Sequence, residues 1–217
     1  MVGAFTYCIG TEKYMGLWKN HYSKYYDHIE IMLDDTPPGD NIYEKFHFIT
    51  PELEKKQSEL LKEYNVVSYM EVDEFLIADP DKYKDLREYI DKFQDQKEDM
   101  ATATGFNVVE TPGELPIDWD KPILSQRKYW TKSKFYSKCA MSRVMNGWKD
   151  GMANPSGGKP EADPDLYLVH MKYADSGEYF KRGRMRADYK SDEVLKSNLE
   201  EACKDMELIP DKFKTWI

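Results

Sequence analysis

The stretch from Asn65 to Asp79, NVVSYMEVDEFLIAD, constrains this chain more than any other. It opens on an apolar, largely β-branched run (Val66, Val67, Tyr69, Met70) that is too short for a typical helix and reads as a buried strand. It then turns acidic at Glu71, Asp73 and Glu74. A buried strand ending in carboxylates delivers anionic side chains to the carboxyl edge of a sheet, where α/β proteins bind their ligands. The period-two spacing of Glu71 and Asp73 lets both share one side of the strand end. Two carboxylates converging there repel each other unless a cation lies between them, and hard oxygen ligands suit Mg²⁺ or Mn²⁺. Acidic pairs after strands also serve as helix N-caps or as solvated loop residues.

The chain before this stretch alternates strand and helix. Val2 to Ile9 reads as a first buried strand closed by Gly10 and Thr11. A helix follows from Glu12 to Tyr25, with Tyr14, Leu17, Trp18, Tyr22 and Tyr25 near helical spacing and Thr11 as its N-cap. His28 to Leu33 is a second strand, ending in Asp34 and Asp35, and Thr36 to Asp40 is a loop by its proline and glycine content. Thr50 and Pro51 start a charged helix that runs to Tyr64. After the central strand, Asp79 and Pro80 open another helix to Phe93. This alternation predicts an α/β fold with a mixed, mainly parallel sheet flanked by helices on both faces.

The second half is less regular. Thr104 to Glu110 and Leu166 to Met171 read as strands, and Pro122 to Arg143 as strands and loops rich in basic and aromatic residues. Asn154 to Pro160 has a flexible composition. Two helices close the chain, one from Asp175 to Tyr189 and one from Ser191 to Met206.

With 217 residues and 41% hydrophobic content, one substantial core is expected. The net charge of −9 argues against a nonspecific nucleic-acid binder, though it allows a local basic pocket. No apolar run is long enough to span a membrane. Cys8, Cys139 and Cys203 are odd in number and form no C-x-x-C, so a reducing, cytoplasmic setting is expected, with Cys8 a small core residue. Sixteen tyrosines and five tryptophans suit both a core and a cleft that stacks on bases and sugar rings.

FTYCIG, LDD, EVDEFL, SQRKYW and LYLVHMKYAD, in that order over roughly residues 2 to 190, resemble a small GT-A-fold, nucleotide-sugar-dependent glycosyltransferase. The similarity is to the family-2-like enzymes of bacterial and large-DNA-virus surface-glycan pathways, which would extend the cytoplasmic expectation to a host cytoplasm. It implies a single domain over 1–217, with a nucleotide-sugar-binding half (1–100), an acceptor half (101–190) and a C-terminal helix and tail (191–217). The family's D-x-D-type metal motif falls on Glu71-x-Asp73, with glutamate replacing the first aspartate. Asp79-Pro80-Asp81 is a literal D-x-D, but Asp79 is better explained as the cap of a helix starting at Pro80.

The resemblance also implies that His170 joins Asp73 on the metal, and that Lys172 meets the donor diphosphate. A lone histidine in an apolar strand is otherwise a core group. Tyr7 and Asp34 or Asp35 would meet the base and ribose. Arg127, with Gln126, Tyr129 and Trp130, would line the donor or acceptor side, and Trp130 and Trp148 would stack on sugars. The catalytic base would come from Glu110, Glu114, Asp118 or Asp120, with Asp118 and Glu114 foremost. The implied cofactor is Mn²⁺ or Mg²⁺, the donor a nucleoside-diphosphate sugar (UDP by default), and the acceptor a glycan or glycoprotein. Two alternatives stand beside this: a nucleotidyltransferase, for which no glycine-rich phosphate loop is present near Gly3 and Gly10, and a noncatalytic carbohydrate- or nucleotide-binding module with a degenerate site. The chain reads as a minimal enzyme or as one module of a longer multidomain protein.

Overall fold

The computed structural model describes residues 1–8, 12–33, 42–134, 136–145, 147–149, 154–185 and 191–217. Val2–Cys8 forms β1 because both of its faces are buried: Val2, Ala4 and Cys8 enter one apolar layer, and Phe5 the other. Helix α1 (Glu12–Tyr22) leads to β2 (His28–Leu33), and α2 (Ile42–Leu60) leads to β3 (Val66–Tyr69). β1 lies between β2 and β3, parallel to both. Tyr14, Trp18 and Tyr22 of α1 pack in the layer of Ala4, Val66 and Met70, whereas Leu53 and Leu60 of α2 pack in that of Phe5, Val67 and Tyr69. Helices therefore cover both faces here, and the strand order changes direction at β1.

Beyond β3 the topology departs from the expectation of a mainly parallel sheet. β3 is followed by a turn into β4 (Glu74–Ala78), and then by α3 (Leu86–Asp95) and the long β5 (Met100–Val109). β6 (Tyr129–Lys132) and β7 (Cys139–Ser142) both run antiparallel to β5, and β7 also bridges to β3. β8 (Trp148–Lys149) and β9 (Asn154–Pro155) make a separate small ribbon. β10 (Ala162–Tyr173) runs parallel to β5 and antiparallel to β4. Helices α4 (Ser176–Met185) and α5 (Asp192–Ala202) precede β11 (Met206–Leu208), which pairs antiparallel with β6. Antiparallel pairings therefore outnumber parallel ones in the nine-stranded sheet. The physical reason lies in the connections: parallel neighbours need long crossovers, and the described residues joining β5, β6 and β7 contain no α-helix.

Several predicted boundaries move. α2 is already helical before Pro51, which lies inside it rather than at its start. The helix expected at Pro80 begins at Leu86, with Asp85 as its N-cap accepting from the Glu88 amide. Asp79 instead closes a turn: its carboxylate accepts from the Asp81 amide and pairs with Lys212. The last helix stops at Ala202, because Met206–Leu208 is recruited as an edge strand. The expected cap Thr11, the loop at 36–40 and the helix end beyond 185 lie outside the described residues.

Candidate metal centre

The carboxyl end of β3 does not run straight into its acidic residues. Residues 71–74 form a turn, closed by the Glu74 amide donating to the Glu71 carbonyl at 2.9 Å. Reciprocally, the Glu71 amide donates to the Glu74 carboxylate at 2.7 Å. The turn is tied to β10 by the Met171 amide, which donates to the Asp73 carbonyl at 2.9 Å. That tie brings Asp73 beside His170, the cross-strand partner of Glu74. One ligand atom each from Glu71, Asp73 and His170 lie within 4.8 Å of one another. Asp73 and His170 are each only 3% exposed, whereas Glu71 is partly open to solvent. The residues predicted for a metal thus lie close together, Glu71 and Asp73 on a turn rather than on the strand end foreseen, and His170 on β10.

Asn107 on β5 is the register partner of His170, and its Oδ1 lies 3.0 Å from the His170 Nδ1. That contact holds the ring with Nδ1 toward Asn107 and Nε2 toward Asp73. The 3.5 Å from Nε2 to the Asp73 carboxylate is longer than a good hydrogen bond. Two carboxylates and an imidazole oriented by a partner on its far nitrogen form a donor set that fits a divalent cation, Mn²⁺ tolerating the imidazole better than Mg²⁺. Tyr136 lays its ring on His170, with centroids 4.2 Å apart, and Lys172 donates to the Tyr136 hydroxyl at 3.0 Å.

Two further charges belong to this centre: Glu74, seen in the sequence only as part of the acidic run, and Lys138, which sequence reasoning missed. Glu74 is fully buried, and Lys138, just before β7, lies 2.5 Å from its carboxylate and 3.9 Å from that of Glu71. Burial pushes the Glu74 carboxyl up, a rise that Lys138 opposes and Glu71 reinforces. Burial alone would lower the Lys138 ammonium, but Glu74 and Glu71 outweigh it and hold it above the ordinary lysine value. Lys138 is 64 positions from Glu74 and becomes its neighbour only because β7 runs beside β3. Gly105 also escaped notice. A Cβ there would lie 2.3 Å from the Tyr136 carbonyl carbon, so only glycine lets the segment carrying Tyr136 and Lys138 sit this close to β5.

The other predicted site residues are engaged elsewhere. Arg127, expected to line the donor or acceptor side, is 1% exposed, and its guanidinium donates to the carbonyls of Ala174, Leu115 and Gln126 as an internal tie. Glu114 accepts from the amides of Thr111 and Lys128. Asp118 bridges Lys121 at 2.7 Å and caps the Asp120 amide in an exposed turn; the Lys121 bond holds its carboxyl below the usual range. Glu110 accepts from the Ser176 amide at the start of α4. Trp130 stacks on Phe106 at 4.4 Å, and the Trp148 indole donates to Gln57, so both are buried packing groups rather than open sugar platforms. Tyr7 is half-buried at the carboxyl end of β1, and Asp34 and Asp35 lie outside the described residues.

Compared with known proteins, the chain matches no family model, and no curated protein sequence matches it.

Proposed function

We propose that this chain is a metal-dependent glycosyltransferase of GT-A architecture. It would move a sugar from a nucleoside-diphosphate donor, UDP by default, to a hydroxyl of a glycan or glycoprotein. The observation that carries the reading is the convergence of Glu71, Asp73 and His170 at the carboxyl edge of β3, next to the strand where the sheet order reverses. In this reading those three residues hold Mn²⁺ or Mg²⁺, and the bound cation neutralises charge on the departing diphosphate. Asn107 fixes the His170 ring so that Nε2 faces the site. Lys172, whose ammonium donates to the hydroxyl of the Tyr136 ring that packs on His170, adds positive charge on the diphosphate side. Tyr7 and the 34–35 acids would meet the nucleoside.

A thermal-shift measurement with UDP, with and without Mn²⁺, on the wild type and Asp73→Ala tests it. A ligand that prefers the native state raises the melting temperature. The expected result is a Mn²⁺-dependent rise in the wild type that Asp73→Ala abolishes. No shift with any nucleoside diphosphate, with or without metal, rejects the reading.

A second reading, a binding module without turnover, is favoured by one observation. Glu110, Glu114 and Asp118 are all held by amides or a lysine, which leaves none of them poised as the base an inverting transfer needs. Donor binding without sugar release would select it.

A further inference from the structure

We propose that a cavity of about 390 Å³ beside the metal centre is the acceptor subsite, and that it takes a neutral, polyhydroxylated sugar. The assignment rests on the glycosyltransferase reading above.

His170, Asn107 and Thr131 are successive register partners across β10, β5 and β6, so they form one row on one sheet face. The row begins at the metal centre and ends on the cavity floor, which Asn107 and Thr131 line. Tyr136 and Lys172, packed beside His170, form the near wall. α5 and the turn after it supply the far wall with Asn198, Glu201 and Asp205. The Thr131 hydroxyl donates to the Asp205 carbonyl at 3.3 Å, which fixes that wall to the sheet.

The lining chemistry narrows the ligand. Lys132 and Lys172 are matched in number by Glu201, itself paired with Lys204, and Asp205, so charges of both signs line the cavity and no block of one sign selects a phosphate or a cation. Apart from the tyrosines and Ala202, the lining residues are polar or charged. They offer ammonium, amide and hydroxyl donors together with carboxylate acceptors, with the partly exposed Tyr136 as an aromatic face. That combination hydrogen-bonds ring hydroxyls from two sides while an aromatic ring meets the sugar's C–H face. The volume is within the usual range for small-molecule sites, about 300–1,000 Å³. A second cleft of the same volume, lined by Tyr64, Asn65, Asp99 and Arg143, sits at the amino ends of β3 and β5, the wrong end for this chemistry.

The test is saturation-transfer NMR on the full chain with methyl glycosides of glucose, galactose and N-acetylglucosamine. Mn²⁺ binding is followed separately by electron paramagnetic resonance of the free ion. Asn198→Trp fills the cavity, and the pair Glu201→Gln with Asp205→Asn removes its acceptors while keeping its shape. At least one glycoside is expected to bind the wild type and to weaken by about tenfold or more in both variants. Mn²⁺ binding is expected to be unchanged. Undiminished glycoside binding to both variants overturns the proposal, as does a wild type that binds Mn²⁺ but no glycoside. Glycoside binding lost in both variants, in a protein that never binds Mn²⁺, supports the cavity and rejects the metal reading instead.

Discussion

Lys138 places its ammonium between two carboxylates, 2.5 Å from Glu74 and 3.9 Å from Glu71, and 5.4 Å from the centre of the Tyr69 ring. Such a pair is a poor source of net stability, because both charges lose their water. Removing one partner is another matter, since the other is left buried and uncompensated. Lys138→Met is therefore expected to destabilise the protein by about 3–5 kcal/mol in urea denaturation. The double change Lys138→Met with Glu74→Gln is expected to recover much of that loss. A single-variant loss under about 1 kcal/mol, the range of an exposed pair, would show that the two charges are not coupled as their burial implies. Asp73 and His170 stood out in the sequence because their residue types carry metal chemistry. Lys138 did not, because a lysine in a basic segment reads as solvated until the fold buries it.

At the scale of elements, α1 does more than cover the sheet. β4 pairs with β10 along one edge, and its other edge faces α1. The Leu76 amide donates to the Tyr22 hydroxyl at 2.8 Å, and that hydroxyl donates to the Glu74 carbonyl at 3.0 Å. The His21 Nε2 lies 2.9 Å from the Leu76 carbonyl. Side chains of a helix thus supply the partners that a further strand would have provided. Tyr22→Phe keeps the ring packing but leaves a buried amide and a buried carbonyl without that hydroxyl. A loss of about 2–3 kcal/mol in chemical denaturation is expected. A loss under about 0.5 kcal/mol would mean that water or a shifted side chain satisfies both groups. The helical spacing of Tyr14, Trp18 and Tyr22 was legible in the sequence as a buried face. Periodicity reports which side of a helix is buried, and is silent about hydroxyl partners more than fifty residues away.

For the whole molecule, acid stability depends on His21. Burial, opposed by its bond to the Leu76 carbonyl, lowers its pKa from 6.5 to about 4. The unfolded chain therefore binds a proton between those values that the folded protein refuses. The associated stability is complete above pH 6.5 and is lost as pH falls toward about 4, to a total of about 3 kcal/mol. His21→Phe removes the titration along with the Leu76 bond. Its deficit relative to the wild type at pH 7 is expected to shrink by about 2–3 kcal/mol at pH 4 in urea titrations. A constant deficit at both pH values would show that His21 is not held neutral in the folded state.

Among the described residues, no helix is long and apolar enough to cross a membrane, which accords with the absence of long apolar runs in the sequence. The sequence by itself determined the β-α-β-α-β opening, the buried faces of its core strands and helices, and Glu71, Asp73 and His170 as the residues to watch. Each of these is written in local periodicity or in residue type. Only the tertiary structure decided that the sheet is mostly antiparallel, that β7 brings Lys138 to Glu74, and that Arg127, Glu114 and Trp130 enter internal hydrogen bonds and packing. Strand pairing and side-chain partnership join residues far apart in the chain. Their energies depend on which backbone edges meet, and no local pattern records that.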